Sequence, residues 1–241
     1  MEWEKGEFIM EKVKDKKRLE EYILKHNINK IFTKNMEPYM ELFFFKKNEY
    51  ICKTDETIEY LYLFVEGKAK VYNSLSNGKS MLLSFYKPFM AIGDIEVIKY
   101  EKAHSNIQTI EDSYCIAISF KHIRKYLLKD CEFLKFICDS LGYKLNKLSK
   151  DSSINILYPL ENRIASYILA IVSYRKIEEE TIMTFESNLT EMSELLGSSY
   201  RHLLRTLNNL CFKEIIKKRK GFYQVINMEV LQELAGDLYE F

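Results

Sequence analysis

The sequence predicts an α+β chain in three successive parts: a small β-barrel or roll, a long helix with a narrow apolar seam, and a winged helix-turn-helix. Three observations lead there. Between Leu42 and Ile118 apolar residues recur with a period of two, as in half-buried strands. From Leu127 to Leu148 they recur every three or four residues. From residue 181 to 226 the order is strand, helix, glycine turn, helix and a hairpin with a basic tip.

In chain order, Leu19, Tyr22 and Ile23 share a face at helical spacing, with Ile28 and Ile31 further on, which predicts a short helix near residues 16–26. Ile58 to Val65 is rich in β-branched and aromatic residues and predicts a strand, with Glu66-Gly67 as the turn after it. Lys68-Ala69-Lys70-Val71-Tyr72 alternates polar and apolar. Asn77-Gly78 is a hairpin signal, since both residues tolerate the positive φ of a type I′ turn, and Met81 to Tyr86 supplies the returning strand. Ile107–Ile110 and Tyr114–Ile118 add two more. Many short strands with turns between them imply a closed or rolled sheet.

Leu127, Leu134, Leu141 and Leu148 are spaced by sevens, with Cys131, Cys138 and Leu145 between them. Such a face could cover the barrel. Its narrowness, and the charged residues on both flanks (Lys129, Glu132, Lys135, Asp139, Lys144, Lys147), favour a helix-to-helix homodimer contact instead. Asp151-Ser-Ser-Ile-Asn155 is expected to break the heptad, and a boundary is placed between Asp151 and Pro159. The parts are then residues 1–125, a barrel with its N-terminal helix; 126–155, dimerisation helix and hinge; and 156–241, the winged helix. Helical spacing resumes from Leu160 to Val172, and Arg175–Glu180 reads as a charged loop.

Thr190 is a candidate cap for the first helix of the last part, and Met192, Leu195 and Leu196 form its apolar face. Gly197 suits the turn, and Ser198 or Ser199 can cap the second helix, which buries Leu203, Leu204, Leu207 and Leu210. Tyr200, Arg201, His202 and Arg205 are left facing outward. Arginine offers guanine a bidentate fork worth ~1–3 kcal/mol of discrimination. Ser199, His202 and the first-turn amides suit phosphate oxygens. Lys217, Lys218, Arg219 and Lys220 form the tip of a hairpin that would reach the nucleic-acid backbone beside the groove.

This order of parts resembles the family of bacterial regulators typified by the catabolite activator protein and the fumarate–nitrate regulator, the Crp/Fnr family. The likeness covers nearly the whole chain. It is carried by Thr190-Glu-Met-Ser-Glu-Leu-Leu-Gly197 through Leu210, by Leu160-Glu-Asn-Arg163-Ile164-Ala165, and by Asn48-Glu49-Tyr50-Ile51 followed by Leu63-Phe64-Val65-Glu66-Gly67. The resemblance implies an N-terminal double-stranded β-roll (cyclic-nucleotide-binding-like), a long dimerisation helix and a C-terminal winged helix-turn-helix. It further implies a homodimer reading a palindromic site in double-stranded DNA, with RNA polymerase as a partner. Tyr200, Arg201 and Arg205 would occupy the base-reading positions, with Ser199 and His202 on phosphates. Tyr200-Arg201 stands where the family commonly has Arg-Glu, so a different operator is expected.

Members that bind cyclic nucleotides use a Gly-Glu-Leu turn for the ribose and an Arg for the phosphate. Here the matching stretches read Gly93-Asp94-Ile95 and Glu101-Lys102-Ala103-His104-Ser105. Gly93, Asp94, Lys102, His104 and Ser105 are therefore the candidate effector pocket. Lysine cannot form the fork that arginine gives a phosphate, and Glu101 opposes an anion, so cyclic AMP is not the expected ligand. The five cysteines (52, 115, 131, 138, 211) form no cluster suited to iron and sulfur. A haem ligand stays open at His26, His104 or His122, although a lone histidine is more often structural. No cofactor is assigned and the effector is left open.

With 36 basic and 35 acidic residues the net charge is +1, which excludes a globally basic coat but not a local patch. No HExxH, G-x-S-x-G, P-loop or G-x-G-x-x-G pattern occurs, so no catalytic residue or metal ligand is assigned and an enzyme is not expected. The charged N-terminal stretch lacks a signal-peptide core, and no apolar run reaches the ~20 residues of a membrane span, so the chain reads as cytoplasmic, with no membrane partner. The competing reading is a cyclic-nucleotide- or other small-ligand-binding module whose winged helix no longer reads DNA.

Overall fold

The order of elements follows the three periodicities, and a computed structural model shows how they pack. It describes residues 11–74, 80–99, 101–177 and 180–236, with the side chains of residues 150–156 left aside. Asn77-Gly78, the expected hairpin turn, lies outside the described residues.

A first strand, β1 (Glu11–Val13), precedes helix α1 (Lys16–Lys25). Asp15 caps that helix by accepting from the Arg18 amide at 3.0 Å, and Tyr22 and Ile23 are its buried residues. The roll then comprises β2 (Met40–Phe45), β3 (Tyr50–Cys52), β4 (Tyr60–Glu66), β5 (Ala69–Ser74), β6 (Ser80–Tyr86), β7 (Met90–Ile92), a short helix α2 (Asp94–Lys99), β8 (Asn106–Thr109) and β9 (Ser113–Ser119). Its strands form two sheets, ordered β1-β2-β9-β4-β7 and β3-β8-β5-β6.

The central antiparallel pair explains why the pattern of two blurs in mid-sequence. β4 faces β9 with Leu61 opposite Ile118 and Leu63 opposite Ile116. Leu61 to Val65 and Cys115 to Ile118 are all at 2% exposure or less, so both faces of these strands are covered. Each such Leu, Ile or Phe contributes roughly 1.5–3 kcal/mol of burial. β5 differs from its expected alternation for the same reason: Lys70 is buried together with Ala69, Val71 and Tyr72. Asn48, standing where the related motif has glycine, has φ 71°, a left-handed conformation that asparagine tolerates better than most residues.

Helix α1 is tied to the roll by polar contacts over apolar ones. Tyr22 donates to Glu66 at 2.5 Å, and Arg18 donates to Tyr114 at 2.7 Å while lying 3.7 Å from the centre of its ring. Burial and the Glu66 carboxylate push the Tyr22 hydroxyl pKa up to about 12. His26 stacks on Phe89 and its ring nitrogen lies 3.0 Å from the Val65 carbonyl, a structural placement.

After α3 (Phe120–Tyr126), capped by Ser119, comes α4 (Cys131–Leu157), a single helix of 27 residues. One sequence expectation is corrected here. Leu127 does not belong to the seam: it ends α3, is 0% exposed, and packs in the core. A new helix starts because Asp130 accepts from the Glu132 and Phe133 amides and from the Thr33 hydroxyl and amide. Burial raises the Asp130 pKa, but these donors outweigh it and leave it below its ordinary value. The helix itself runs through Asp151–Asn155 and continues to Leu157.

The C-terminal part comprises α5 (Leu160–Ile171), β10 (Ser173–Ile177), β11 (Glu180–Phe185), α6 (Leu189–Leu195), α7 (Tyr200–Phe212), β12 (Ile216–Lys218), β13 (Tyr223–Val225) and α8 (Met228–Ala235). Its sheet has the order β10-β11-β13-β12. The stretch read as a charged loop at Arg175–Glu180 is instead the end of one strand and the start of the next, with Arg175 opposite Ile182. By its contacts the chain divides into two compact units, one of residues up to 71 with 86–146, the other of 72–85 with 147 onward.

Candidate nucleic-acid interface

Two capped helices and a tight turn build the candidate reading surface. Asn188, not Thr190, caps α6, its side-chain oxygen accepting from the Thr190 and Glu191 amides at 3.0 and 3.3 Å. Both are good caps, and Asn188 lies where the chain is still extended. Gly197 has φ 59° and its amide bonds the Glu194 carbonyl, while Ser198 bonds back to Ser193. Arg163 of α5 donates to the Leu196 carbonyl at 2.5 Å, holding the turn from behind.

Ser199 caps α7 by accepting from the His202 amide at 3.2 Å. Leu203, Leu207 and Leu210 are fully buried, and Thr206 is buried with its hydroxyl on the His202 carbonyl. Leu204 is only half-buried. On the opposite side Tyr200, Arg201, His202 and Arg205 are all exposed, beside an exposed Ser199. Arg201 and Arg205 are one turn apart and thus share a stripe. Asn208, three residues further and also exposed, extends it. Sequence reasoning missed Asn208, although an amide on a reading stripe is the donor–acceptor pair that suits adenine.

The hairpin forms with Lys217 opposite Gln224 and Lys218 opposite Tyr223. The Arg219 amide bonds the Phe222 carbonyl across the turn, and its guanidinium donates twice to the Gln224 side-chain oxygen, at 3.1 and 2.8 Å. Lys217, Lys218 and Lys220 are exposed. Beside them, Arg175 of β10 lies 4.7 Å from the centre of the Phe222 ring and pairs with Glu186. Nothing in the residue pattern indicated this contact, because every residue of β10 is exposed and the strand shows no alternation.

The five candidate pocket residues lie at the start of α2 and just before β8. Gly93 has φ 90°, and a Cβ there would stand 2.8 Å from the Tyr60 carbonyl, so only glycine fits. The Asp94 carboxylate is buried and turned to α4, where Lys144 donates to both its oxygens at 2.8 Å and Ser140 donates at 2.9 Å. Lys144 also donates to the Ala91 carbonyl. Burial lowers the Lys144 pKa, but the neighbouring Tyr86 and Asp94 outweigh it and raise it overall. His104 lies between two carboxylates, 3.3 Å from Glu96 and 3.0 Å from Glu101. Lys102 is exposed and Ser105 half-buried, its carbonyl meeting the Cys52 thiol at 3.6 Å. His122 bonds Ser119 and packs on Tyr39. Among the described residues no group of three His, Cys, Asp or Glu could hold a metal, and no helix is long and apolar enough to cross a membrane.

Residues 42–130 match the cyclic nucleotide-binding domain family. The chain is 32% identical over 197 residues to the regulatory protein YeiL of Escherichia coli O157:H7, covering 82% of this chain and 86% of that one. Among solved structures it is similar to TTHB099, a transcriptional regulator of the CRP family from Thermus thermophilus, with a TM-score of 0.65 at 17% identity, covering 82% of this chain and 98% of that one. TTHA1359, a CRP/FNR-family transcriptional regulator of the same organism, gives a TM-score of 0.64 at 18% identity, covering 82% and 100%. With the roll, the long helix and the capped helix pair in place, the chain belongs to the Crp/Fnr family of transcriptional regulators.

Proposed function

We propose that the protein is a homodimeric regulator that binds a palindromic operator in double-stranded DNA through α7. The observation that carries this reading is the exposed stripe Arg201–Arg205 on a helix whose other side is wholly committed to the core. A cationic stripe at the start of a capped helix fits a major groove, and the neighbouring lysines of the hairpin fit the phosphates beside it. Tyr200, Arg201 and Arg205 read bases, Ser199 and His202 hold phosphates, and Lys217 to Lys220 clamp the backbone.

Dimerisation is assigned to α4. Its Phe133 and Ile137 are buried, whereas Cys131, Leu134, Cys138, Leu145 and Leu148 are exposed and Leu141 is half-buried. In this proposal residues 1–125 sense, 126–155 pair and 156–241 bind DNA, with RNA polymerase met at the promoter. The roll does not take cyclic AMP through Gly93, Asp94, Lys102, His104 and Ser105, since Asp94 is already paired and two carboxylates flank His104.

The test is selection of the purified protein on a library of double-stranded DNA, beside an Arg201→Ala, Arg205→Ala variant. Enrichment of an inverted repeat by the first protein, with affinity for it reduced on the order of 30-fold or more in the variant, is the expected result. Equal and weak binding by both to every sequence would overturn it in favour of a ligand-binding module with a silent winged helix.

A further inference from the structure

We infer that Cys131 and Cys138 form a thiol-oxidation site completed by a second copy of the chain, in which each sulfur is bonded to its own counterpart. The inference rests on the pairing of α4 proposed above and goes beyond it by assigning chemistry to the seam.

Three observations carry it. First, of the five cysteines only Cys131 and Cys138 are exposed, Cys115 being buried and Cys52 and Cys211 partly so. Second, the two occupy the same heptad position as exposed Leu145, one and two heptads before it, and the interleaved position holds Leu134, Leu141 and Leu148. In a parallel pair related by a two-fold axis, each residue of a seam position lies beside its own counterpart. Third, the distances suit the bond. Helix axes about 8–10 Å apart, with Cα atoms about 2.3 Å from each axis, bring facing Cα atoms to roughly 3.4–5.4 Å. That range overlaps the ~4.4–6.8 Å a disulfide requires.

The remaining thiols are held back by their surroundings. Burial first, and the nearby Glu96 second, push the Cys52 pKa up to about 12. Burial raises Cys115 well above its ordinary value. Thiolate is the reactive form, so Cys52 and Cys115 are poor targets for an oxidant.

The oxidant is a peroxide. A seam thiolate attacks one peroxide oxygen, the O–O bond breaks, and a sulfenic acid and, after protonation, one water result. The facing thiol of the second copy then attacks the sulfenic sulfur, the S–O bond breaks, and the hydroxyl leaves as a second water. Two thiols and one hydrogen peroxide thus give one disulfide and two waters, the sulfurs losing two electrons to the peroxide. A thiol reductant reverses it.

The experiment takes the full chain, wild type and Cys131→Ser, Cys138→Ser, each first reduced and sized by sedimentation equilibrium, then treated with hydrogen peroxide and run on a non-reducing gel. The expected result is a dimer of the wild type when reduced, and a peroxide-induced covalent dimer of it that dithiothreitol dissolves. In the variant that covalent band falls at least tenfold. Mass spectrometry of the wild type should find Cys131 linked to Cys131 and Cys138 linked to Cys138. A reduced dimer that peroxide fails to link, or a band undiminished in the variant, overturns the thiol site and leaves the pairing of α4 standing. A reduced chain that sediments as a monomer and stays unlinked overturns both.

Discussion

Helices α4 and α7 both bury one stripe and leave another uncovered, and the uncovered stripes differ in kind. On α4 the open stripe holds Leu134, Leu145 and Leu148 with two cysteines. On α7 it holds Arg201, Arg205 and Asn208 behind an exposed tyrosine. An apolar stripe gains by leaving water, so it calls for another apolar surface. A cationic stripe loses if it is dehydrated without a partner, so it calls for an anion that supplies the missing contacts. The buried stripes differ too: that of α7 is leucine throughout apart from Thr206, whereas that of α4 ends in Lys144, paired with Asp94. Helix α7 is held by packing and by contacts of Asn209 and Lys213 with Glu161 of α5, helix α4 by packing and a buried ion pair.

Changes that reverse these characters test the comparison. The largest effect is expected from Leu134→Lys with Leu141→Lys, which places two charges per chain in the proposed seam. Association should weaken on the order of 100-fold or more, with sedimentation moving to monomer and operator binding lost with it. A dimer of undiminished DNA affinity would refute the assignment of α4. Next comes the anchoring side of the same helix. Lys144→Met strands the buried Asp94 carboxylate and should cost about 3–5 kcal/mol in urea unfolding. Adding Asp94→Asn should recover most of that loss, since it removes the uncompensated charge. If both variants unfold like the wild type, the ion pair does not anchor α4. The smallest effect is at the hairpin. Lys217→Ala should reduce the slope of log affinity against log salt by about 1 without altering which sequence is preferred. A changed preference would mean that this lysine reads bases.

Much of this contrast could be seen in the residues. Gly197 marked the turn because few other residues take its φ, and the leucines of α7 marked its core side by spacing alone. The apolar stripe of α4 was equally visible, yet where it starts was not. Counting by sevens carried the seam back to Leu127, because spacing takes no account of a chain that stops one helix and starts another at Asp130. Asn188 was overlooked as a cap because Thr190 offered a similar hydroxyl two residues later. For the roll, the resemblance to cyclic-nucleotide-binding members put Gly93 and Asp94 in a pocket, but the partner of Asp94 lies 50 residues away on α4. Long-range pairing of this kind leaves no periodicity. Neither does β10, whose exposed residues are held in place by β11.

The two-sided character of α4 also bears on which lengths of this helix evolution can accept. A single inserted residue between Ile137 and Lys144 would rotate everything after it by about 100°. Lys144 would then leave Asp94, and the leucines beyond would swing away from those before. Seven inserted residues rotate it by only about 20°, yet they carry Lys144 about 10 Å along the axis, out of reach of Asp94. Between these positions, relatives that retain both the ion pair and the seam should therefore keep the same number of residues.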